Sequence, residues 1–387
     1  MDLHSTYPGL SDLKARAQKR LPKFVWEYLD SGTGVEATKA RNRAALDRVG
    51  FLPSILHGPQ EVDLSTQFLG QEYAAPFGMA PLGMSGLVWP DAEPILARTA
   101  ATAALPYCLS TVATRHPEDM AEHLGPNAWF QLYPPKNEDT RRDLLDRVRA
   151  AGFSTLVLTV DIPVASRRER QTRSGLTQPP KLTPRLLAQI ATCPVWAMGM
   201  ARQVAGGLGM PRMRTLDKYL TGASQSLPST AHIGYVLRAS PNYDYVRWLR
   251  DNWQGPFIVK GVMRAEDAAP LEAIGVDALW VSNHAGRQFD GAPATIEVLP
   301  EIRAATRLPL VFDSGIEGGL DILRALALGA DFVMLGRAFH FGLAALGARG
   351  PAHVIDVLAK DMAANMGQLG VVAPVNLPAP IILDRLS

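Results

Sequence analysis

Four apolar runs decide the fold: FIVK at 257–260, ALWVS at 278–282, LVFD at 310–313 and FVMLG at 332–336. Each run is followed by a segment with helical periodicity, at Ala265–Ile274, Ile296–Ala305, Gly319–Leu328 and Ala338–Leu346. Short apolar runs that alternate with helical segments are typical of parallel strands buried on both faces. The second half of the chain therefore predicts a parallel sheet covered by helices.

The same alternation occupies the first half of the chain. Strand-like runs lie at 77–80, 107–109, 128–132 and 155–160, and the last of them, TLVLTV, is strongly β-branched. Helical segments follow the first three runs, at Ala92–Ala104, Pro117–His123 and Glu138–Ala151. Eight such strands favour an α/β fold of the (β/α)8 TIM barrel type over a doubly wound sheet.

Two segments stand outside this repeat. An N-terminal helical extension covers Ser11–Asp30 with a break at Pro22, and an irregular segment rich in Gly, Pro, Met and Trp runs over 168–256. We expect residues 1–387 to form a single barrel domain. An insertion or lid is expected at 176–245, after the fourth strand.

Composition excludes several classes of protein. The apolar content of 47% in 387 residues suffices for a large core, so a disordered chain is excluded. The net charge of +2 gives no global reason to bind nucleic acid. Cys108 and Cys193 lack a metal-ligand partner at short spacing, so we expect no metal and a reducing compartment. We expect no secretory signal, because the first residues, MDLHSTYPGL, offer neither a basic nor an apolar region. We also expect no membrane span, because the uncharged stretch at 73–90 is interrupted and that at 186–201 is short.

Polar side chains follow nearly every predicted strand. In a TIM barrel the carboxyl ends of the strands form one rim, where the functional residues lie. In chain order this rim is predicted to carry Ala80, Pro81, Leu82, Gly83, Ser110, Gln131, Tyr133, Thr159, Asp161, Lys260, Ser282, His284, Arg287, Asp313, Gly315, Gly336 and Arg337. The turns after strands 7 and 8 lie where barrels commonly bind phosphate.

Each of these residues also has a purely structural explanation. Ser and Thr at strand ends commonly form turns, and Asp161 could cap a turn before Pro163. Lys260 could be a surface lysine, and His284 alone could be a structural histidine. Lys, Asp, His and Arg on four strand ends of one barrel are hard to explain as turns, and together they indicate an active site.

The run SNHAGRQ at 282–288 resembles the active-site signature of the FMN-dependent 2-hydroxy-acid dehydrogenases and oxidases. This family includes glycolate oxidase, lactate dehydrogenase and mandelate dehydrogenase. Further runs resemble family motifs in the family order: LPKFVWEY at 21–28, FQLY at 130–133, LTVD at 158–161, VKG at 259–261 and LGR at 335–337. The resemblance covers nearly the whole chain and implies a barrel that binds FMN and oxidises an (S)-2-hydroxy acid to the 2-oxo acid.

The resemblance also implies catalytic roles. His284 is expected to be the base, and Asp161 the carboxylate that stabilises its protonated form and so favours the charged imidazole. Tyr133 is expected to contact the substrate hydroxyl. Lys260 is expected beside N1 and the C2 carbonyl of the flavin, where it would stabilise negative charge.

Substrate and cofactor contacts follow from the same resemblance. The substrate carboxylate is expected to bind Arg168, Arg287 and Tyr28, because guanidinium groups pair with carboxylates through two hydrogen bonds. The expected flavin contacts are Ala80, Pro81, Leu82, Gly83, Ser110, Gln131, Thr159, Lys260, Ser282, Asp313, Gly315, Gly336 and Arg337. The last three of these would hold the phosphate.

Electron transfer and location are expected as follows. Reduced FMN would pass electrons to a quinone or another acceptor; the alternative is an oxidase that uses O2 and yields H2O2. A barrel without flavin that acts as a binding protein is an alternative of another class. The apolar insertion favours a lid or a partner-packing helix, and its other interpretation is peripheral contact with a membrane. We expect a cytoplasmic protein, associated with the inner face of the membrane under that interpretation, and a homotetramer.

Two positions depart from the family pattern. Glu317 stands in the phosphate loop after strand 7, where the family often has arginine, and a carboxylate beside a phosphate is unfavourable. Gly83 resembles the dehydrogenase members of the family, whereas alanine is common there in the oxidases. The first departure puts phosphate binding in question, and the second favours a dehydrogenase.

Overall fold

The computed structural model describes residues 2–177, 183–219 and 238–383, and its centre is a closed barrel of eight parallel strands. We number these strands β1 to β8 in chain order: Phe77–Met79, Tyr107–Ser110, Ala128–Leu132, Thr155–Thr159, Phe257–Val262, Ala278–Val281, Leu310–Phe312 and Phe332–Leu335. Each coincides with a predicted strand to within two residues at either end.

Strand pairing decides between a barrel and an open sheet. Each strand pairs in parallel with the next, and β8 returns to β1 with Val333 opposite Phe77. A doubly wound sheet would leave two unpaired edge strands, whereas here the first and last strands are neighbours. The predicted (β/α)8 TIM barrel is therefore confirmed.

Helices surround the barrel. The α-helices are Leu3–Thr6, Leu10–Arg20, Lys23–Asp30, Ala37–Asp47, Ser85–Val88, Ala92–Thr102, Glu138–Ala150, Glu169–Ser174, Pro184–Ala191, Pro194–Gln203, Tyr243–Asn252, Ala268–Ile274, Thr295–Ala305, Gly319–Ala327, Arg337–Leu346 and Gly350–Leu369. The predicted extension is two helices separated at Pro22, and the predicted helix at 118–123 is a 3-10 helix, Glu118–His123.

The segment between β4 and β5 is more regular than the sequence indicated. Helices Pro184–Ala191 and Pro194–Gln203 occupy part of it, so the prediction of an irregular segment is wrong there. Helix Tyr243–Asn252 leads directly into β5 and begins two residues before the predicted end of the insertion. Two parts of the insertion, 178–182 and 220–237, lie outside the described residues.

A β-hairpin packs against one end of the barrel. Its strands are Thr66–Phe68 and Gln71–Tyr73, and the rings of Phe68 and Tyr73 lie 5.1 and 5.2 Å from that of Phe332, the first residue of β8. Trp129 and Trp280 lie in the barrel interior, next to the aromatic side chains of this hairpin. With the amino-terminal end packed in this way, the carboxyl-terminal end is left for a ligand.

Candidate active site

A cavity of about 690 Å³ opens at the carboxyl ends of the strands. Most of the predicted site residues line it: Tyr28, Ala80, Pro81, Leu82, Gly83, Gln131, Tyr133, Thr159, Arg168, Lys260, His284, Arg287, Asp313, Gly315, Gly336 and Arg337. Asp161, Ser110 and Ser282 do not line the cavity but are hydrogen-bonded or ion-paired to residues that do. Every residue predicted for the site is therefore in or directly behind one cavity.

His284 and Asp161 form a buried pair at this rim. His284 Nδ1 lies 3.0 Å from Asp161 Oδ1, across the gap between the loops that follow β6 and β4. The turn that presents the histidine has φ of 54° at His284 and 53° at Ala285, values that non-glycine residues rarely adopt. The side chain of Asn283 accepts a hydrogen bond from Gly286 N and stabilises this turn.

The pKa values of the pair are set by burial and charge. Burial lowers the pKa of His284 below its usual value, and the carboxylate of Asp161 only partly opposes that effect. The expectation that Asp161 favours the charged imidazole is right in direction, but burial outweighs it. Burial also tends to raise the pKa of Asp161, yet the charges of His284 and Lys260 lower it overall. The pair therefore favours a neutral imidazole beside an ionised carboxylate.

Lys260 is a buried ammonium group between two carboxylates. Its Nζ lies 3.2 Å from Asp313 Oδ2 and 3.8 Å from Asp161 Oδ2, and it donates a 2.6 Å hydrogen bond to Ser282 Oγ. Burial alone would lower the pKa of Lys260, but Asp313 and Asp161 outweigh burial and raise it. The residue is therefore a fixed positive charge, and the surface-lysine interpretation is wrong, since only 5% of Lys260 is exposed.

Two arginines and a tyrosine form the opposite side of the cavity. Arg287 Nη1 donates to the backbone carbonyls of Tyr28 and Ser31, both at 2.9 Å. The Tyr28 hydroxyl donates to Gly83 O at 2.7 Å. Burial, together with the positive charge of Arg168, lowers the pKa of Arg287 well below its usual value. An anion in this part of the cavity would relieve that repulsion.

The donors behind the cavity fit a flavin. Gln131 Nε2 and Thr159 Oγ1 are buried and lack a hydrogen-bond partner, although Gln131 Oε1 accepts from Ser110 Oγ at 2.9 Å. Buried polar groups normally have partners, so such groups indicate a ligand. Gly83 lies close to Val112 at the cavity wall, because a Cβ at position 83 would be 2.3 Å from Val112 Cγ2. These features suit a planar ring system with polar edges.

The far end of the cavity has the features of a phosphate site. Ser314 and Gly315 have φ values of 88° and 93°, which fold the loop after β7 back on itself. Helix Arg337–Leu346 begins at the loop after β8, so its amino end is directed to the same place. Glu317 lies here too, and its carboxylate is 3.5 Å from Lys14 Nζ of helix Leu10–Arg20.

Sequence analysis missed two supports of the site. Asn42 exchanges two hydrogen bonds with Asn283, at 2.8 and 2.9 Å, and so stabilises the loop that carries the histidine. Lys39 lines the cavity and pairs with Asp30 at 2.9 Å. Asn42 and Lys39 both lie in helix Ala37–Asp47, which the sequence analysis did not predict. The polar character of that helix was its only signal.

The barrel, its buried His–Asp pair and its unsatisfied polar groups are the features of an enzyme active site that also holds a ligand or cofactor. The sequence matches the FMN-dependent dehydrogenase family over residues 17–382. The chain belongs to this family, so its cofactor is FMN, and the alternative of a barrel without flavin is not supported.

Relatives and solved structures agree with this membership. An L-lactate dehydrogenase of Pseudomonas syringae is 36% identical over 97% of this chain and 98% of that protein. An L-lactate dehydrogenase of Ectopseudomonas mendocina is 37% identical over 92% of this chain and 93% of that protein. The crystal structure of the monotopic membrane protein (S)-mandelate dehydrogenase has a TM-score of 0.89 at 33% identity, covering 97% of this chain and 99% of that one. A mandelate oxidase structure has a TM-score of 0.79 at 31% identity and covers 96% of each chain.

Proposed function

We propose that this protein oxidises an (S)-2-hydroxy acid, of the lactate or mandelate type, to the 2-oxo acid. The observation that carries the proposal is the His284–Asp161 pair in a cavity that also holds Arg168 and Arg287. FMN, when bound, supplies the acceptor for the two electrons. The proposal rests in addition on relatives that are named L-lactate dehydrogenase and (S)-mandelate dehydrogenase.

His284 is the proton acceptor in this proposal. Its Nδ1 faces Asp161, so the tautomer with hydrogen on Nδ1 leaves the lone pair of Nε2 free for the substrate. Once Nε2 takes a proton, the imidazolium lies beside a carboxylate at hydrogen-bond distance, which lowers the free energy of the charged state. The same arrangement serves removal of the α-proton or of the hydroxyl proton.

The substrate is oriented by its carboxylate in this proposal. Arg168 and Arg287 both act electrostatically on Tyr28, so the three polar groups surround one region of the cavity. Arg287 is pinned by backbone carbonyls and presents its remaining N–H groups in a fixed direction. Tyr133 is proposed to contact the hydroxyl, and the positive charge of Lys260 is proposed to stabilise negative charge on the flavin.

The proposed acceptor of the electrons is a quinone, reached through peripheral contact of the insertion with a membrane. Leu187, Val195 and Met198, on the two insertion helices, are 50%, 44% and 52% exposed. Exposed apolar side chains on adjacent helices suit an interfacial surface. In the described part of the chain, none of the helices is long and apolar enough to cross a bilayer. A cytoplasmic location at the inner face and a homotetramer belong to the same proposal.

Flavin reduction tests the proposal directly. The purified holoenzyme is mixed anaerobically with L-lactate, (S)-mandelate and other 2-hydroxy acids, and bleaching of the flavin is followed by stopped-flow absorbance. We expect at least one (S)-acid to bleach the flavin, and His284→Ala to retain FMN but lose the bleaching. Bleaching by none of the acids, or unimpaired bleaching in His284→Ala, would contradict the proposal.

Reoxidation separates the dehydrogenase from the oxidase. The reduced holoenzyme is mixed with air-saturated buffer or with a soluble quinone, and return of flavin absorbance is measured. We expect slow reaction with air and fast reaction with quinone. Fast reaction with air and formation of H2O2 would favour the oxidase, and one structural neighbour carries the name mandelate oxidase.

Membrane contact has its own test. We expect the protein to float with anionic phospholipid vesicles. The double variant Leu187→Ser, Met198→Ser should remain in the dense fraction, because both substitutions remove exposed apolar area. A matched control is Val375→Ser, since Val375 is 89% exposed but lies outside the insertion. Equal flotation of all three proteins, or of none, would contradict the proposed contact.

A further inference from the structure

Helix Leu10–Arg20 lies over the phosphate end of the cavity. Leu10, Lys14 and Gln18 line that cavity, and their spacing of four residues places them on one face of the helix. Leu10 is itself buried, as are the residues at positions 13 and 17. On the face toward the cofactor cavity the helix therefore presents the ammonium group of Lys14 and the amide of Gln18.

The position of this helix is fixed by its other cations. Arg16 Nε donates to Ala345 O and Arg20 Nε to Ala344 O, both at 2.8 Å. These carbonyls belong to the last turn of helix Arg337–Leu346, where cations are favourable. Arg337, at the phosphate end of the cavity, is the first residue of that same helix. The two helices therefore pack as one unit, and the backbone that carries Lys14 is fixed by these neighbouring contacts.

The other cations near the phosphate end have closer partners. Lys39 Nζ is 2.9 Å from Asp30 Oδ2. Arg43 Nη2 donates to Asp321 Oδ1 at 2.7 Å, and Arg337 donates to two backbone carbonyls at 3.1 Å. Lys14, by contrast, has its carboxylate partner at 3.5 Å, with 37% of its side chain exposed. It is the cation here that can turn toward an incoming anion at least cost.

Glu317 faces Lys14 from the loop after β7. Its backbone N–H donates to Asp321 Oδ2 at 2.9 Å, so the loop that carries it is anchored. A carboxylate at this place repels a phosphate, and the ion pair with Lys14 offsets that repulsion. The pair also holds the ammonium group across the cavity mouth, close to where the loops after β7 and β8 meet.

We propose that Lys14 binds the phosphate of the flavin and that Glu317 positions it there. Helix Leu10–Arg20 is then a clasp that retains the cofactor, and the positive charge that the phosphate loop lacks at position 317 comes from this helix. The inference rests on the FMN site of the family and is independent of the substrate and the electron acceptor proposed above.

Comparison of FMN with riboflavin tests the proposal, because riboflavin lacks only the phosphate. Full-length protein is stripped of flavin and titrated with each compound, and quenching of flavin fluorescence gives the Kd. We expect Lys14→Met to raise the Kd of FMN about three- to tenfold, the effect of one partly exposed charge-assisted contact, and to leave that of riboflavin unchanged. Lys19→Met, on the exposed side of the same helix, is the matched control and should change neither value.

Two outcomes would overturn the proposal. One is that neither Kd value changes in Lys14→Met. The other is an equal loss of FMN and riboflavin affinity, which would mean that the helix has loosened without a specific phosphate contact. A protein that binds FMN through Lys14 but is bleached by no 2-hydroxy acid would contradict the proposed function and support this inference.

The role of Glu317 is tested in two backgrounds. In both the wild type and the Lys14→Met background, Glu317→Gln removes the repulsion between the carboxylate and the phosphate. In the wild type it also removes the partner that positions the Lys14 ammonium group. We therefore expect Glu317→Gln to tighten FMN binding more in the Lys14→Met background than in the wild type. Equal tightening in the two backgrounds would show that Glu317 does not position Lys14.

Discussion

Asp161→Asn is the substitution that examines the proposed chemistry most directly. The variant keeps the shape of the side chain but removes the negative charge that lies 3.0 Å from His284 Nδ1. Opposite charges about 4 Å apart attract by about 4 kcal/mol at an effective dielectric constant of about 20. Because the imidazolium forms as the proton is taken, part of this attraction is lost from the transition state. With about tenfold in rate for every 1.4 kcal/mol, we expect flavin reduction to slow roughly 10²- to 10³-fold.

The pH dependence gives a second, independent readout. His284 accepts a proton only when it is neutral, so the rate of flavin reduction rises with pH through the pKa of His284 and then levels off. Burial lowers that pKa, and the carboxylate of Asp161 opposes the lowering. Asp161→Asn removes the opposition, so the pKa falls further and the rising limb moves to lower pH.

The assay is anaerobic stopped-flow bleaching across pH, with FMN content measured for each protein. Asp313→Asn is the matched control, because it also removes a buried carboxylate beside Lys260, 3.2 Å away, but has no bond to His284. In Asp313→Asn, the rate of flavin reduction should rise with pH over the same pH range as in the wild type. A reduction rate within tenfold of wild type in Asp161→Asn, with the limb unmoved, would refute the assignment of His284 and Asp161.

Three further perturbations follow from the same structure. Gly83→Ala places a Cβ 2.3 Å from Val112 Cγ2, so we expect slower flavin reduction, at least partly restored by Val112→Ala in the same assay. Arg168→Met should raise the KM for the hydroxy acid roughly 100-fold through loss of a charge-assisted contact, whereas Arg167→Met, whose side chain is 88% exposed, should not. Asp321→Asn leaves two guanidinium groups without their shared carboxylate and should lower the free energy of unfolding by roughly 3 kcal/mol in urea denaturation at neutral pH. Although burial opposes it, Arg43 lowers the pKa of Asp321, so this difference should shrink as pH falls through the depressed pKa.

The barrel was predictable because its strands have an unmistakable pattern. Runs such as TLVLTV at 155–160 are built from Leu, Val and Thr, as expected for strands covered on both faces, and polar residues follow nearly all of them. The sequence analysis allowed for a helix in the insertion but did not predict the bounds of the two helices found there, and Gly, Met and Trp mask the periodicity of the second one. A signal was present, since Thr183 caps the first helix and Pro184 stands at its first position.

The site divides in the same way. His284, Asp161 and Lys260 follow barrel strands, so topology alone predicts that they meet. Arg168 lies in the segment after β4, just before helix Glu169–Ser174, and Tyr28 lies in the N-terminal extension. Only the family resemblance predicted that these two residues reach the rim of the barrel. Nothing in the pattern of helix Leu10–Arg20 shows which surface its polar face covers, because periodicity identifies the buried face and not the neighbour.

Charge explains why the two ends of the cavity depend on each other. Burial and then the charges of Arg168 and Arg337 lower the pKa of Arg287, so the guanidinium groups repel one another across the cavity. A phosphate at the Arg337 end neutralises part of this field, so a substrate carboxylate at Arg287 meets a weaker positive potential when FMN is bound. Binding of a non-reacting carboxylate such as the 2-oxo acid product should therefore be tighter in apoprotein reconstituted with riboflavin than in the FMN form, and equal affinity in both would contradict this coupling.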